Sequence, residues 1–508
     1  RPLCVSQKRQ WHTSCISHHI PHDMRGGCLE KAMSEVNKSY EKAMDRLLSD
    51  RDGRYLRTPT AGSQNRQPCV PPSLLFPETM GTYAVEGGHH LEGRIRPAGN
   101  KNAALPCLAA TLLSQGPVTL RNVPRILDVL TFIDILTALG SDVSWIGRNE
   151  LIVDTGGVKT GAVDRELASK IRASLLLAGP LLARFGKVEL PPPGGDVIGR
   201  RRMDTHFMAF EALGATVALN SGFTITSDEL IATDLFLDEP SVTGTENAIM
   251  TAVRARGRTR LRNAAAEPHV QDLCRLLNKM GARIEGIGTH ILEIEGVDEL
   301  QGADFSIGSD HVETGSFIGL AAVTRSDITI EHAPIEHLDS TIMGFRRLGI
   351  ECSVEGSDLH VYGSKELVIR KDAFGHVPKI DDGPWPAFPA DLTSIAIVAA
   401  TQCVGSVLVH EKMFESRMYF TDKLVSMGAS IILCDPHRAV VVGPTALQGG
   451  VVDSPDIRAG MALLLAALGA HGTSHIRNIG QIERGYESID ERLITLGAVI
   501  ERIEESSD

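Results

Sequence analysis

Six times along the chain, a stretch with apolar residues on one helical face ends on an apolar residue followed by glycine, and alternating apolar and polar positions come next. The endings read "LTALGSDV", "FEALGATV", "LNKMGARI", "FRRLGIEC", "LVSMGASI" and "LITLGAVI". Their glycines, Gly140, Gly214, Gly281, Gly349, Gly428 and Gly497, are spaced 74, 67, 68, 79 and 69 residues apart, which marks an internal repeat of about 70 residues. Glycine at such a place suits the left-handed cap that ends a helix, and the alternation after it predicts a strand. Before each amphipathic helix lies another short strand pattern: "PVTLRN", "KVELPP", "TRLRNA", "ITIEHA", "VLVHEK" and "SHIRNI". Before that comes a stretch apolar on nearly every side, as in "NAALPCLAATLLSQG", "ASLLLAGPLLARFG" and "AGMALLLAALGAHG". A helix with no polar face has to be buried all round. The unit is therefore buried helix, strand, loop, amphipathic helix and strands, an α/β pattern made six times.

The pattern begins at Met80, and the 429 residues from there accommodate two domains of three units. Residues 1–79 differ: they carry four more basic than acidic residues, four of the nine cysteines and little core-like periodicity. They are expected to be an extension outside the fold, with the working protein starting at Met80.

At 508 residues the chain is too long for one ordinary core. The longest uncharged apolar run, 461–470, is about half a membrane span, so no bilayer crossing is expected. A net charge of −12 argues against a general nucleic-acid binder, whose phosphate contacts need surplus Lys and Arg. Any basic site must be local. The cysteines show no C-x-x-C pair or regular spacing, which suggests neither a zinc cage nor a disulfide framework but buried thiols in a reducing cytoplasm.

The polar residues of the repeat gather at two equivalent places. At the start of the buried helices stand Lys101 and Asn102, Arg172, Glu246 and Asn247, Glu313, Asp391 and Arg458; the loops before the amphipathic helices hold Asp196 to Arg202, Glu415 to Arg417, and Glu483 with Arg484. Helix N-termini carry free N–H groups and positive partial charge. Aimed at one cleft with Lys101, Arg172, Arg201, Arg417, Arg458 and Arg484, they would make a strongly basic site for phosphates or for phosphate plus carboxylate.

With these positions assembled, the chain resembles the enolpyruvyl transferases over about residues 80–503, and within them the branch acting on UDP-N-acetylglucosamine. The resemblance rests on "GNKNAALP", "IRASLLLAGPLLARFG", "GGDVIGRRRMDTH", "PAFPADL", "FESRM", "DIRAG" and "IERGYESIDERLITLGA", which match in order. It implies a two-domain inside-out α/β barrel of six units, three per domain. One domain would be 101–306, with the catalytic loop, and the other 80–100 plus 307–508. The implied reaction moves the enolpyruvyl group of phosphoenolpyruvate onto the sugar 3′-hydroxyl and releases phosphate, with no metal and no cofactor. Such chemistry needs a base for the hydroxyl, an acid for the methylene carbon and cations for the anionic groups.

By the same resemblance Asp391 is the base, and Asp196 is the acid at a loop position that is a cysteine in many members. Lys101, Arg201 and Arg484 clamp phosphoenolpyruvate, with Arg417 and Arg458 in the same basic wall. Asn102 and Met413 lie on the sugar side, Arg201, Arg202, Met203, Asp204 and Thr205 on the uridine side, and Ser241, Val242 and Thr243 at the diphosphate. Arg172 orders the catalytic loop, and the Gly194–Gly195 pair lets that loop swing. His206 reads more simply as a residue solvating the helix that follows it. Arg202, Thr243, His311 and Ser416 stand where the family commonly has proline, glycine, arginine and asparagine. These departures keep two alternatives open: another acceptor, such as a uridine monophosphate, or a non-catalytic paralogue that binds UDP-sugar. The resemblance implies a cytoplasmic monomer or weak oligomer with small-molecule partners, no nucleic acid and no membrane.

Overall fold

The structure, a computed structural model, describes residues 81–195, 199, 201–219 and 221–504. The extension 1–79, Asp196 and Arg200 lie outside the described residues. The repeat is visible as six sheets among the described residues. In the first, Val118–Arg121 pairs antiparallel with Glu150–Asp154, which pairs with Asp142–Trp145 across the hairpin that follows the amphipathic helix Leu127–Ala138. The other units repeat this hairpin. All six repeat glycines have positive φ, between 85° and 107°. In each case the N–H after the glycine donates to the carbonyl five residues back, as Ser141 does to Leu136 and Ala498 to Leu493. That is the cap expected where a helix must stop and reverse into a strand.

The apolar helices lie at the centre. Lys101–Ala110, Ala178–Phe185 and Val242–Ala252 belong to one core with the other buried apolar residues from Ala103 to Ile307. His311–Val323, Thr393–Ala400 and Ile457–Gly469 belong to a second core, formed by residues from Val312 to Ala498 together with Tyr83 to Ile95. The helices of the second core approach closely: a Cβ on Gly319 would sit 2.3 Å from Ile395 Cγ2. The sheets wrap outside, one face buried and one exposed, so each lobe is an inside-out barrel.

Each lobe is closed by borrowed strands. Asp304–Ser306 returns from the third unit to pair with Val118–Arg121 of the first. In the second lobe, Gly81–Glu86 sits between Thr473–Arg477 and Val499–Glu504, and Gly93–Ile95 pairs with Asp327–Ile330. The chain therefore passes between the cores twice, side by side, with Asn100 N–H donating to Gly308 O and Asp310 N–H to Ala98 O, both at 2.9 Å. Each crossing runs straight into a buried helix capped by its own side chain, Asn100 for Lys101–Ala110 and Asp310 for His311–Val323. Among the described residues no helix is long and apolar enough to cross a membrane.

Candidate active site

Four of the six buried helices have a side-chain N-cap: Asn100, Ser241, Asp310 and Asp456. The other two begin with short 3₁₀ turns, Arg172–Leu177 and Ala390–Leu392, without such a cap. These two starts carry Arg172 and Asp391, both singled out from the sequence.

Two carboxylates, each held between two cations, organise the site. Asp128, in the first turn of Leu127–Ala138, receives Lys101 Nζ at 2.6 Å and Arg484 Nε at 2.8 Å. Burial raises its pKa, but Lys101 and Arg484 outweigh burial and hold it below the usual carboxylate range. Asp391 accepts from Arg417 Nη2 through Oδ1 and from Arg458 Nε through Oδ2, each at 2.9 Å. Burial again raises its pKa, and Arg458 and Arg417, with Lys101 adding to their field, push it far below the usual value. Arg417 and Arg458 are buried, whereas 27% of the Asp391 side chain stays open. Asp391 is thus an ionised acceptor with one accessible face. Arg458 also stacks on Tyr486, whose hydroxyl lies 3.0 Å from Ser316 Oγ.

The cations expected to make the cleft strongly basic are therefore partly neutralised. Lys101, Arg484, Arg417 and Arg458 all have carboxylate partners, because a cluster of buried like charges is tolerated only with counter-charge between them. Asp128 was missed in the sequence, although the signal was there: an acid in the buried phase of an amphipathic helix, in "ILDVLTF".

The residues expected on the uridine side form a second network. Arg172 Nη2 donates to the carbonyls of Arg201 at 3.1 Å and Arg202 at 3.3 Å, tying the loop to the start of its helix. Burial and then Arg201 lower the pKa of Arg172 to about 10. Arg202 pairs with Asp238 at 2.8 Å and Asp204 at 3.2 Å, and Thr205 Oγ1 donates to Asp238 at 2.7 Å. Met203 precedes the helix Asp204–Ala212 and packs on the lobe core. Ser241 caps the helix that starts at Val242. Met413 is part-exposed, and Asn102 donates its N–H to the Asn100 cap.

One sequence reading needs correction, and one pair of glycines gains a second reason. His206 does not solvate a helix: it is buried, lies 3.1 Å from Thr243 Oγ1 and 3.0 Å from Asn247 Nδ2, and burial, then Arg172, lower its pKa to about 3. It links the helix Asp204–Ala212 to the helix Val242–Ala252 as a neutral ring. The Gly194–Gly195 pair is set by close approach: a Cβ on Gly194 would lie 1.8 Å from Ser169 O, and one on Gly195 2.8 Å from Arg172 Cβ.

Behind Arg417 lies a pair that the sequence did not suggest. Glu411 Oε1 accepts from Met413 N at 3.0 Å and Phe414 N at 3.1 Å, while Oε2 is 3.7 Å from Arg417 Nε. Burial, and then the neighbouring Asp382, raise the Glu411 pKa from 4.5 to about 9, so Glu411 keeps its proton at neutral pH. Unfolding frees this carboxyl to ionise above about pH 4.5. Stability is therefore fully present below that pH and falls as pH rises toward about 9. Glu411→Gln, which can still donate to Asp382, is expected to lose this dependence. Thermal unfolding at pH 5, 7 and 9 should show the variant gaining on wild type as pH rises; a constant difference would contradict the protonated pair.

The family model for EPSP synthase (3-phosphoshikimate 1-carboxyvinyltransferase) matches residues 85–493. A protein of Bradyrhizobium diazoefficiens named UDP-N-acetylglucosamine 1-carboxyvinyltransferase is 59% identical over 423 residues, covering 83% of this chain and 98% of the relative. One of the same name from Treponema denticola is 54% identical, with 83% and 99% covered. Among solved structures, the enolpyruvyl transferase NikO from Streptomyces tendae shares the fold with a TM-score of 0.74 at 22% identity, over 84% of this chain and 99% of that one. EPSP synthase from Acinetobacter baumannii does so with a TM-score of 0.65 at 17% identity, over 83% and 99%. Six buried-helix units in two closed lobes, and relatives alike from end to end of their own length, lead to one placement: the chain belongs to the EPSP synthase family of enolpyruvyl transferases, in its UDP-N-acetylglucosamine 1-carboxyvinyltransferase branch.

Proposed function

We propose that this protein transfers the enolpyruvyl group of phosphoenolpyruvate to the 3′-hydroxyl of UDP-N-acetylglucosamine and releases phosphate, the first committed step of peptidoglycan precursor synthesis. The observation that carries the reading is the 59% identity to a transferase of that name over nearly its whole length. In the first step the hydroxyl oxygen adds to C2 of phosphoenolpyruvate, its proton passes to Asp391, and an acid protonates C3, giving a tetrahedral ketal. In the second, C3 gives up a proton, the C–O bond to phosphate breaks and the enol ether forms. Asp196 is the acid. Lys101, Arg484 and Arg201 hold the phosphate and carboxylate, and the pairing of the first two through Asp128 pre-positions them before substrate arrives.

Two of the four departures from the family pattern, Arg202 and Thr243, fit this acceptor. Arg202 is occupied by Asp238 and Asp204, and Thr243 is turned to His206, so neither presents a free group that would select a different nucleotide. The 101–306 and 80–100 plus 307–508 lobes act as two domains enclosing the substrates, in a cytoplasmic enzyme that is a monomer or weak oligomer. Phosphate release from phosphoenolpyruvate, measured with UDP-N-acetylglucosamine, uridine monophosphate and shikimate 3-phosphate as acceptors, tests the reading. Release is expected with the first alone. Release with uridine monophosphate instead would move the protein to another acceptor class, and binding of the UDP-sugar without release would make it a non-catalytic paralogue.

A further inference from the structure

Three residues beyond Arg484, in "ERGYES", Glu487 reaches the other lobe. Its Oε2 accepts the backbone N–H of Arg125 at 3.1 Å, and Asn149 Nδ2 donates to Oε1 at 3.1 Å and Oε2 at 2.9 Å. Arg125 lies three residues before Asp128, the carboxylate that receives Arg484. The two chain segments are thus clipped together at two points, Arg484 to Asp128 and Glu487 to Arg125 and Asn149. Both sides of the clip are stiff. Asn149 also donates to Val123 O at 2.9 Å, and the Arg125 guanidinium lies 3.9 Å over the Trp145 ring. On the other side, Arg492 Nη1 donates to Glu487 O at 3.2 Å and to Glu313 Oε1 at 2.7 Å, while Nη2 donates to Arg96 O on the first crossing. Ser488, the next residue, has φ 39° and ψ 49°, a left-handed conformation uncommon for a residue with a side chain.

We infer that Glu487 is a positioning residue for the transfer: by docking on Arg125 and Asn149 it sets Arg484 against Asp128, and so fixes the phosphoenolpyruvate side of the site only when the two lobes are together. Tyr486, between Arg484 and Glu487, carries the same constraint to Arg458. This inference rests on the proposed function for its kinetic consequence and on the contacts alone for its structural one.

The test pairs kinetics with a signal from Trp145. The variants are Glu487→Ala, Asn149→Ala and their double, in the full chain labelled with 5-fluorotryptophan, with Trp145→Phe assigning the Trp145 fluorine resonance. Glu487→Ala is expected to lower kcat/KM for phosphoenolpyruvate by about 10- to 100-fold, the range for a lost hydrogen bond to a charged group. It should shift the Trp145 resonance and leave those of the other two tryptophans in place. Asn149→Ala is expected to lower kcat/KM as well, and the double variant to be no worse than Glu487→Ala, because both act through one contact. Losses that multiply, an unmoved Trp145 resonance, or a kcat/KM within about two-fold of wild type would overturn the inference. Should Glu487→Ala fail to fold, Glu487→Gln, which keeps one acceptor oxygen, is expected to show an intermediate loss, and wild-type behaviour would overturn the inference equally. If wild-type enzyme released no phosphate with any acceptor, the function would be wrong, and the fluorine shift would still decide the docking.

Discussion

Asp391→Asn is expected to lower kcat by about 10²- to 10⁴-fold while both substrates still bind, because the amide keeps the shape of the carboxylate but cannot take the hydroxyl proton. The structure adds a condition on how the base works. Between Arg417 and Arg458 the carboxylate is ionised but weakly basic. It gains basicity only if an incoming anion draws one guanidinium away. Phosphoenolpyruvate, with a phosphate and a carboxylate, is such an anion, so on the proposed mechanism binding of the donor would couple to activation of the acceptor hydroxyl through the two arginines. The substitution also leaves two buried guanidiniums without their shared carboxylate, and a lower Tm should accompany the lost turnover. Steady-state kinetics with calorimetric binding of UDP-N-acetylglucosamine check the result. Near-normal kcat would remove Asp391 from the proton transfer.

The second large effect concerns Asp196, argued from chemistry because that residue lies outside the described ones. In family members with cysteine at this position, the epoxide antibiotic fosfomycin alkylates the thiolate, a far better nucleophile at neutral pH than a carboxylate. Wild-type enzyme is expected to turn over in the presence of the drug and carry no adduct, whereas Asp196→Cys is expected to be inactivated with one adduct per chain. Intact-mass measurement after incubation with fosfomycin and UDP-N-acetylglucosamine reads the outcome directly. A stoichiometric adduct on wild type, or none on an active cysteine variant, would remove Asp196 from the acid position.

Much of the architecture was legible because it is local. The glycine caps, the all-apolar helices and the strands between them each follow from a few neighbouring residues, and each recurs six times. The placement of Gly81–Glu86 in the middle of the last sheet was not legible, since a strand pattern does not name its partner. The site divided along the same line. Cations at helix starts stand out, but the carboxylates that oppose them sit elsewhere in sequence: Asp128 is 356 residues from Arg484. Nothing in the sequence singles out Glu411, yet burial raises its pKa and keeps it protonated beside Asp382, 29 residues away. Pairing of this kind is a property of the packed chain, which no period along the sequence records.

The strand Gly81–Glu86 also bears on how the molecule is made. The apolar core from Ala103 to Ile307 is drawn from one continuous stretch, closed by Asp304–Ser306, so a growing chain holds everything it needs to complete that core before the residues of the other are made. The other core closes late. Its earliest strand pairs with Val499–Glu504, about 420 residues later, and waits without that partner until those residues are made. An unpaired edge of "GTYAVE" through that interval is an invitation to pair with the wrong partner.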